Sequence, residues 1–164
     1  QEITSEGPDF NAFMEALNTL TVYLCRCIAA DGEGATKLLE CLVTGAESKE
    51  QARIVAKSVI NSSLLKAAMF GADANWGRVL CAIGYAQTDV DVSRVDVSFA
   101  SQNGAVEVCK NGAGIDFSEE TAKKVLTCDE VKILVSLNAG DEAATAWGCD
   151  LTYDYVRING DYRS

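Results

Sequence analysis

The strongest constraint on the fold is an apolar pattern near the start of the chain. Large apolar side chains recur there in steps of three and four residues, which places them on one face of an α-helix of about five turns. They are Phe10, Phe13, Met14, Leu17, Leu20, Leu24 and Ile28. Asp9, directly after Pro8, suits the N-cap of this helix. We expect the apolar face to line the core of the protein.

The helix leads into the stretch Asp31–Lys37, which reads Asp-Gly-Glu-Gly-Ala-Thr-Lys. Glu33 stands between two glycines, so few neighbouring side chains shield its carboxylate from a ligand. Glycine also allows a positive φ and a close approach of the backbone. Two interpretations are open at this point: either Glu33 contacts a ligand, or a glycine caps the helix and Glu33 faces water.

The same stretch lacks the spacing of an ion-binding or phosphate-binding loop. A calcium loop requires glycine where Thr36 stands and glutamate where Leu42 stands. A phosphate loop ends in Gly-Lys-Ser/Thr, which is missing here. The paired cysteine or histidine spacing of a zinc site is missing as well. We therefore predict no metal site.

The charge balance excludes several classes of partner. The chain has 14 Lys and Arg residues against 24 Asp and Glu residues, a formal net charge of −10. It has no basic cluster that would neutralise nucleic-acid phosphates, and an anionic membrane surface would repel it. No apolar run approaches the ~20 residues of a membrane span. We expect neither a nucleic acid nor a membrane as partner.

The cysteines and the absent histidine bear on the compartment and the chemistry. There are 7 cysteines and no Cys-x-x-Cys pair. Most lie in apolar segments, as reduced thiols do in cytosolic proteins, so we predict a cytoplasmic location. Histidine does not occur in the sequence. Ser-His and Cys-His arrangements for nucleophilic catalysis are therefore excluded for this chain.

The rest of the chain predicts alternating strands and helices, typical of an α+β protein. Ser48 and Gln51 have the spacing of a capping box, and Asn103-Gly104 is a hairpin signal. The pattern predicts strands near 37–46, 95–99, 106–108, 130–137 and 143–148, and helices near 48–60, 64–70, 76–86 and 118–126. We expect residues 143–148 to return antiparallel after 130–137, and Asp150 to cap a last short helix before a tail that begins at Ile158.

The stretch Phe70–Arg78 predicts a loop that leads into a helix. It faces a substrate or a subunit, or it forms a buried turn in which Trp76 is packed and Arg78 has an ion-pair partner. We assign Trp76, Arg78 and Trp147 to the architecture of the fold and not to its chemistry.

Four segments together resemble one known family. In chain order they are Asp31–Lys37, Gly71–Arg78, Trp147–Thr152 and Ile158–Ser164. They resemble the C-terminal part of the β chain of ornithine acetyltransferase, the bifunctional glutamate N-acetyltransferase of arginine biosynthesis. The resemblance implies a layered α/β fold related to self-processing N-terminal-nucleophile proteins. It also implies that residues 1–46 complete a catalytic domain begun upstream and that residues 47–164 form a C-terminal α/β domain.

The resemblance implies a specific reaction and specific partners. Family members cut themselves before a threonine, which becomes the N-terminal nucleophile of a β chain paired with an α chain. Acetyl passes from N2-acetylornithine to this threonine and then to glutamate, and acetyl-CoA is a further donor in bifunctional members. No histidine is needed, because the N-terminal amine serves as the base. The nucleophile is expected upstream of Gln1, so we assign no catalytic residue to this chain and expect an α2β2 assembly.

Three residues match the family's substrate contacts, namely Glu33, Asn159 and Ser164. We expect Glu33 near the reacting α-amino nitrogen or the amine of the nucleophile, and hydrogen bonds from Asn159 and Ser164 to a substrate carboxylate. Two other functions stay open: an N-terminal-nucleophile aminopeptidase or amidohydrolase, and a non-catalytic assembly module. In each case, exposed apolar surface on this chain is expected to be interface.

Overall fold

The structure is a computed structural model that describes residues 2–161. Within this range the chain forms six α-helices, a short 3₁₀ turn and six strands. The helices are α1 (Pro8–Ala30), α2 (Lys49–Asn61), α3 (Ser63–Phe70), α4 (Trp76–Gly84), α5 (Glu119–Leu126) and α6 (Tyr153–Asp161), and the 3₁₀ turn spans Val92–Arg94. The strands are β1 (Leu38–Ala46), β2 (Asp96–Ser101), β3 (Gly104–Lys110), β4 (Ala113–Gly114), β5 (Glu130–Ser136) and β6 (Glu142–Cys149). The predicted α+β class is confirmed.

The strands form one mixed sheet in the order β4-β3-β2-β5-β1-β6. β1 is parallel to β5, and the other neighbouring pairs are antiparallel. The sequence predicts β6 as the antiparallel return of β5, but its partner is β1, which lies between them. The chain after β5 crosses the end of β1, where the amides of Ala139 and Gly140 both donate to the carbonyl of Gly45. This crossing is why two strands adjacent in sequence are not adjacent in the sheet.

The core lies between one face of the sheet and the helices α2 to α5. Alternate residues of β1 point into it, because successive side chains of a strand face opposite sides of a sheet: Leu39, Cys41 and Val43 are almost fully buried. Val55 and Val59 of α2 pack in the same cluster. On the opposite face, Glu40 and Leu42 of β1 are only partly covered and Thr44 is exposed. The sheet therefore has one packed face and one open face.

The long helix α1 does not line this core. None of its residues is buried, and Phe13, Leu20 and Ile28 are 53%, 54% and 75% exposed. The prediction that this apolar face lines the core is wrong for the core that this chain forms. The helix contacts the sheet through a polar residue, since Arg26 pairs with Glu40 at 2.5 Å and with Glu130 at 2.7 Å.

Arg26 lies on the side of α1 opposite the apolar stripe. It is two residues from both Leu24 and Ile28, which places it about 200° around the axis from each of them. The contact with the sheet therefore turns the stripe away from the rest of the chain. No helix within residues 2–161, α1 included, is long and apolar enough to cross a membrane.

The predicted start of α2 agrees with the structure, whereas the prediction that Asp9 is the N-cap of α1 is wrong, because the helix begins at Pro8 and its N-cap is Gly7. Ser48 accepts a hydrogen bond from the Gln51 amide at the start of α2, and Ser62 ends α2 and caps α3. Trp76 packs against Gly114, where a Cβ would lie 2.4 Å from the indole ring. Arg78 donates to the carbonyl of Leu64 at 2.7 Å, in place of the expected ion pair. Trp76 is thus packed as predicted, whereas the predicted ion pair of Arg78 is replaced by a hydrogen bond to the backbone.

One sheet spans the position at which the sequence divides the chain. β1 ends at Ala46, the last residue of the predicted first unit, and is paired with β5 and β6 of the predicted second unit. The division into residues 1–46 and 47–164 stays a prediction.

Candidate functional site

Glu33 lies at the outer corner of a tight turn after α1. The amide of Ala35 donates to the carbonyl of Gly32 at 2.9 Å and closes a four-residue turn. Gly34 occupies the third position with φ 67°, a conformation that favours glycine. The alternative interpretation, a glycine helix cap, is wrong: the cap of α1 is Asp31, with φ −88°. The turn leaves the Glu33 carboxylate exposed.

Both glycines are required by close neighbours. A Cβ on Gly34 would lie 2.8 Å from the backbone nitrogen of Tyr155, at the start of α6. A Cβ on Gly32 would lie 2.6 Å from the sulfur of Cys149, at the end of β6. The turn is therefore wedged against the segment that joins β6 to α6, far along the chain.

The first contact of chemical interest joins two residues that the sequence singled out. The side-chain amide of Asn159 on α6 donates to Glu33 Oε2 at 2.9 Å, across 126 positions of sequence. The same Nδ2 donates to the carbonyl of Tyr155 at 2.9 Å. Both hydrogens of the amide are thus used within the chain, and Oδ1 is the group that Asn159 can present to a ligand donor. The structure brings Glu33 and Asn159 together on an exposed surface.

The third predicted residue, Ser164, lies outside the described residues. The helix α6 continues to Asp161, so Asn159 and Gly160 are helical and not part of a tail as the sequence predicted. Whether Glu33, Asn159 and Ser164 bind substrate stays a prediction.

Asp150 holds the strand that follows the turn. Its carboxylate is buried, with 3% of the residue exposed. Oδ1 accepts from the amides of Thr36 at 2.8 Å and Lys37 at 3.1 Å, and Oδ2 accepts from the Thr36 hydroxyl at 2.5 Å. The prediction that Asp150 caps the last helix is wrong, because its acceptor oxygens are engaged with the other end of the chain.

The residue that caps α6 is Thr152. Its hydroxyl accepts from the amide of Tyr155 at 3.2 Å and donates to the carbonyl of Gly34 at 2.6 Å. Thr152 is 5% exposed. A single buried hydroxyl therefore joins the start of the helix that carries Asn159 to the turn that carries Glu33.

Lys37 connects the segment between the Glu33 turn and β1 to the end of α3. Its ammonium donates to the carbonyls of Met69 at 2.5 Å and Phe70 at 3.2 Å, where unpaired carbonyls at a helix C-terminus favour a cation. Burial lowers the pKa of Lys37, while the charges of Asp150 and Asp129 oppose that shift. Phe70 in turn packs edge to face against Tyr153, with the ring centroids 5.5 Å apart.

A groove of about 550 Å³ lies beside the turn. Its lining includes Gly32 and Cys149, and it also contains Lys57 and Lys66. Glu33 and Asn159 do not line it. The carboxylate–amide pair therefore sits on open surface next to the groove.

Sequence reasoning missed the roles of Asp150 and Thr152. Both residue types are good helix caps, and they stand two positions apart immediately before α6. Sequence spacing alone does not distinguish the cap from the buried carboxylate. The distinction depends on the turn at Glu33, which reaches this segment only through the order of the strands.

The fold and the turn define a class of protein for which solved structures exist. The crystal structure of an arginine biosynthesis bifunctional protein from Bacillus halodurans superposes on this chain with a TM-score of 0.91 at 46% sequence identity. The match covers 99% of this chain and 75% of that one. At 46% identity the two chains are similar in sequence as well as in fold. The predicted relation to the fold of ornithine acetyltransferase is confirmed.

The chain belongs to the ArgJ family, whose model matches residues 1–164. It is 56% identical over 162 residues to an arginine biosynthesis bifunctional protein of Clostridium acetobutylicum and 47% identical over 152 residues to a glutamate N-acetyltransferase of Methanopyrus kandleri. These alignments cover 99% and 93% of this chain but only 40% and 39% of the two relatives. The chain thus spans about two fifths of the length of these relatives.

Proposed function

We propose that this chain is part of an acyltransferase that moves acetyl from N2-acetylornithine to glutamate through an acyl-threonine intermediate. The family and the names of its relatives support this reaction class. In this proposal the nucleophilic threonine belongs to polypeptide outside residues 1–164. The chain contributes Glu33, Asn159 and Ser164 to the substrate pocket and supplies no nucleophile.

The observation that carries the proposal is the contact between Glu33 and Asn159. The two residues belong to two of the four segments that together resemble the family, 126 positions apart in sequence, and their side chains meet at 2.9 Å. The glycines on each side of Glu33 let the turn pack against Cys149 and Tyr155 and leave no side chain directly beside the carboxylate. The contact orients the carboxylate and leaves its second oxygen, Oε1, facing the surface as an acceptor for an amino group.

The chemistry of the two substrates assigns a role to Glu33. Acetylornithine and glutamate share an α-carbon with its nitrogen and carboxylate, but their side chains carry opposite charge. A carboxylate aimed at the ornithine ammonium would repel the glutamate side chain. Glu33 is therefore placed near the shared α-nitrogen or the amine of the nucleophile, where it serves both half-reactions.

Asn159 then has a different role from the one that the sequence predicted. Its two N–H groups donate to Glu33 and to the carbonyl of Tyr155, so it presents Oδ1 to a substrate N–H. The hydrogen bond to the substrate carboxylate falls to the hydroxyl of Ser164 in this proposal.

In this proposal the partner of the chain is the rest of the same precursor protein. The outward faces of α1 and α6 flank Glu33 and Asn159, and they expose Ile28, Tyr153 and Val156 by 75%, 82% and 64%. Apolar area of this kind is normally covered by another chain or domain. We propose that the upstream part of the β chain and the α chain of the same precursor cover these faces, complete the pocket and form an α2β2 assembly.

The experiment uses the complete precursor protein, incubated with acetylornithine in the presence and absence of glutamate. Acetyl transfer that depends on glutamate supports the proposal. A second incubation, with acetyl-CoA and glutamate but without acetylornithine, tests the second donor. Release of acetate without transfer would assign the protein to the aminopeptidase or amidohydrolase class. No reaction of either kind would leave an assembly module.

Glu33→Gln tests the assigned residue in the same protein. We expect kcat to fall by about 100-fold, the lower range for loss of a proton-transfer group. Glu107→Gln is the matched control, because Glu107 is an exposed glutamate on β3, away from the turn. Equal turnover of the two variants would refute the assignment of Glu33.

The state of the cysteines supports the proposed compartment. All seven cysteines are free thiols, and Cys41, Cys109 and Cys128 are buried. Free thiols persist in reducing environments, and we place the protein in the cytoplasm. Mass spectrometry of alkylated protein from intact cells should show all seven thiols reduced.

A further inference from the structure

One buried hydroxyl connects the two elements that carry the proposed site. Thr152 caps α6 through the amide of Tyr155 and donates to the carbonyl of Gly34 in the turn. The turn carries Glu33, and α6 carries Asn159. We propose that Thr152 is a positioning residue that holds Glu33 and Asn159 in register for acetyl transfer. This inference rests on the proposed function.

The Thr152 hydroxyl makes two hydrogen bonds that no apolar side chain can make. It donates its proton to Gly34 at 2.6 Å, which leaves its lone pairs free to accept from Tyr155 at 3.2 Å. Both partners belong to backbone that is wedged together, since Gly34 has no space for a Cβ beside Tyr155. Without the hydroxyl, a carbonyl in the turn and an amide in the helix each lose a hydrogen-bond partner.

The path from Thr152 to the carboxylate is short. Gly34 follows Glu33 directly, and its carbonyl belongs to the next peptide of the same tight turn, so a displacement of this carbonyl alters the turn one residue after Glu33. Tyr155 lies one helical turn before Asn159, and its carbonyl accepts from the Asn159 side chain. Thr152 therefore binds the backbone next to Glu33 and the first turn of the helix that carries Asn159, and it touches neither side chain of their 2.9 Å contact.

Asp150 is less suited to test this idea. Its carboxylate serves Thr36 and Lys37, and it is buried. Its removal would leave three donors, the Thr36 amide and hydroxyl and the Lys37 amide, without their buried acceptor, which destabilises the fold itself. Thr152 has one acceptor and one donor partner, so its loss acts on local geometry more than on overall stability.

Three variants of the complete precursor protein separate the role of the hydroxyl from that of the methyl group. Thr152→Val keeps the size and removes both hydrogen bonds, and Thr152→Ser keeps both bonds. We expect kcat to fall about 10-fold in the valine variant, because small displacements of a reacting group cost 10- to 100-fold in rate. The serine variant should stay within about threefold of wild type. Thr152→Ala is measured beside them, in case the valine methyl is not accommodated.

Thr127→Val is the control for the chemical change. Thr127 is exposed at the end of α5, and its hydroxyl donates to the carbonyl of Lys124 at 3.3 Å. It makes a side-chain-to-backbone bond like that of Thr152 but lies on a different element from the turn. Its turnover should equal that of wild type.

A double variant distinguishes positioning from a general structural effect. If Thr152 acts through Glu33, Thr152→Val should cost nothing further in a protein that already carries Glu33→Gln. Losses that multiply in the double variant would overturn the proposal. Wild-type turnover of both Thr152→Val and Thr152→Ala would also overturn it.

The outcome for Thr152 is distinguishable from the outcome for the proposed function. An active wild-type protein whose Thr152→Val and Thr152→Ala variants retain full turnover overturns only the role of Thr152. A wild-type protein without transfer activity overturns the proposed function, and the positioning role falls with it. Hydrogen exchange provides a second readout: in Thr152→Val the amides of 33–35 and 155–159 should exchange faster, while those of β5 are unchanged.

Discussion

The helices α1 and α2 have the same kind of sequence and opposite surroundings. Each has apolar residues at helical spacing along one face. In α2 that face is buried, and Val55 and Val59 are fully inaccessible. In α1 no residue is buried, and Leu20 is 54% exposed. An amphipathic pattern therefore indicates that a face needs a cover, but it does not indicate which part of the protein supplies that cover.

The attachment of the two helices shows why they differ. α2 packs on the closed face of the sheet through apolar side chains. α1 contacts the other side of the sheet through Arg26, whose partners are Glu40 and Glu130. Ion pairs on a partly exposed surface contribute little to stability. The polar contacts of α1 with the sheet are thus partly exposed ion pairs, and its apolar face is left uncovered within residues 2–161.

We expect the largest loss of stability when a large side chain in the core under the packed face of the sheet is replaced by a small one. Leu65→Ala removes a fully buried side chain of α3, and we expect the free energy of unfolding to fall by about 3 kcal/mol. Urea denaturation of the 164-residue chain and of the complete protein should give similar losses. A loss near zero would show that α3 does not pack on the core of the chain in solution.

The loss of stability from a leucine-to-alanine change on α1 should depend on whether the polypeptide outside residues 1–164 is present. Leu20→Ala should cost less than about 0.5 kcal/mol in the 164-residue chain, since Leu20 is half exposed there. In the complete protein we expect roughly 2 kcal/mol, the cost of removing a buried leucine. Glu15→Ala, on an exposed position of the same helix, is the control. Equal small losses in both forms would mean that nothing covers the apolar face of α1.

Substitutions at the N-caps of α2 and α1 should show the same contrast between the two helices, with smaller changes in the free energy of unfolding. Ser48 accepts from the Gln51 amide at the start of α2, and Ser48→Ala should lower the free energy of unfolding by about 1 kcal/mol. The N-cap of α1 is Gly7, which makes no side-chain bond and has open space at its Cβ position. Gly7→Ala should change the unfolding of the 164-residue chain by less than about 0.5 kcal/mol. A larger effect at Gly7 would show that α1 unfolds together with the core.

Acid should release α1 before it unfolds the core. Burial raises the pKa of Glu40, but hydrogen bonds from Trp147 and Lys132 and the charges of Lys132 and Arg26 lower it more, so the net shift is downward. A lowered pKa means that the charged form stabilises the folded state at pH values above the usual 4.5. This stabilisation is lost as the pH falls below that value.

The indole N–H of Trp147 reports this change, because it donates to Glu40 Oε2 at 2.8 Å. Its NMR resonance should shift with a midpoint below pH 4.5, while resonances of Val55 and Val59 stay unchanged over the same range. Glu40→Gln should abolish the titration. A titration that persists in the glutamine variant would assign it to another carboxylate, such as that of Glu130.

Local signals predicted most of the elements. Ser48 caps α2 at its predicted start, and Ser118 caps α5 at the first residue of the helix predicted near 118–126, since a cap depends only on residues three positions apart. Asn103-Gly104 lies at the hairpin between β2 and β3, because a two-residue turn is also a local feature. These predictions succeeded because every group involved lies within one turn of chain.

Predictions that depended on distant neighbours failed. β6 pairs with β1 and not with β5, Asp150 binds Thr36 and not the helix that follows it, and α1 turns its apolar face outward. For Glu33, the sequence identified the residue but left its environment undecided between a ligand and water. These outcomes depend on the order of the strands in the sheet, in which β1 lies between β5 and β6.

The amino-acid sequence alone was sufficient for the positions of most elements and for the family, and it singled out Glu33 and Asn159, whose role in a site stays a prediction. The meeting of those two side chains required the folded chain. Hydrogen-bond and capping preferences act over a few residues and can be read locally, whereas a contact across 126 positions exists only because β1 is inserted beside β6. That insertion brings the end of α1 to the start of α6, and with it the acid to the amide.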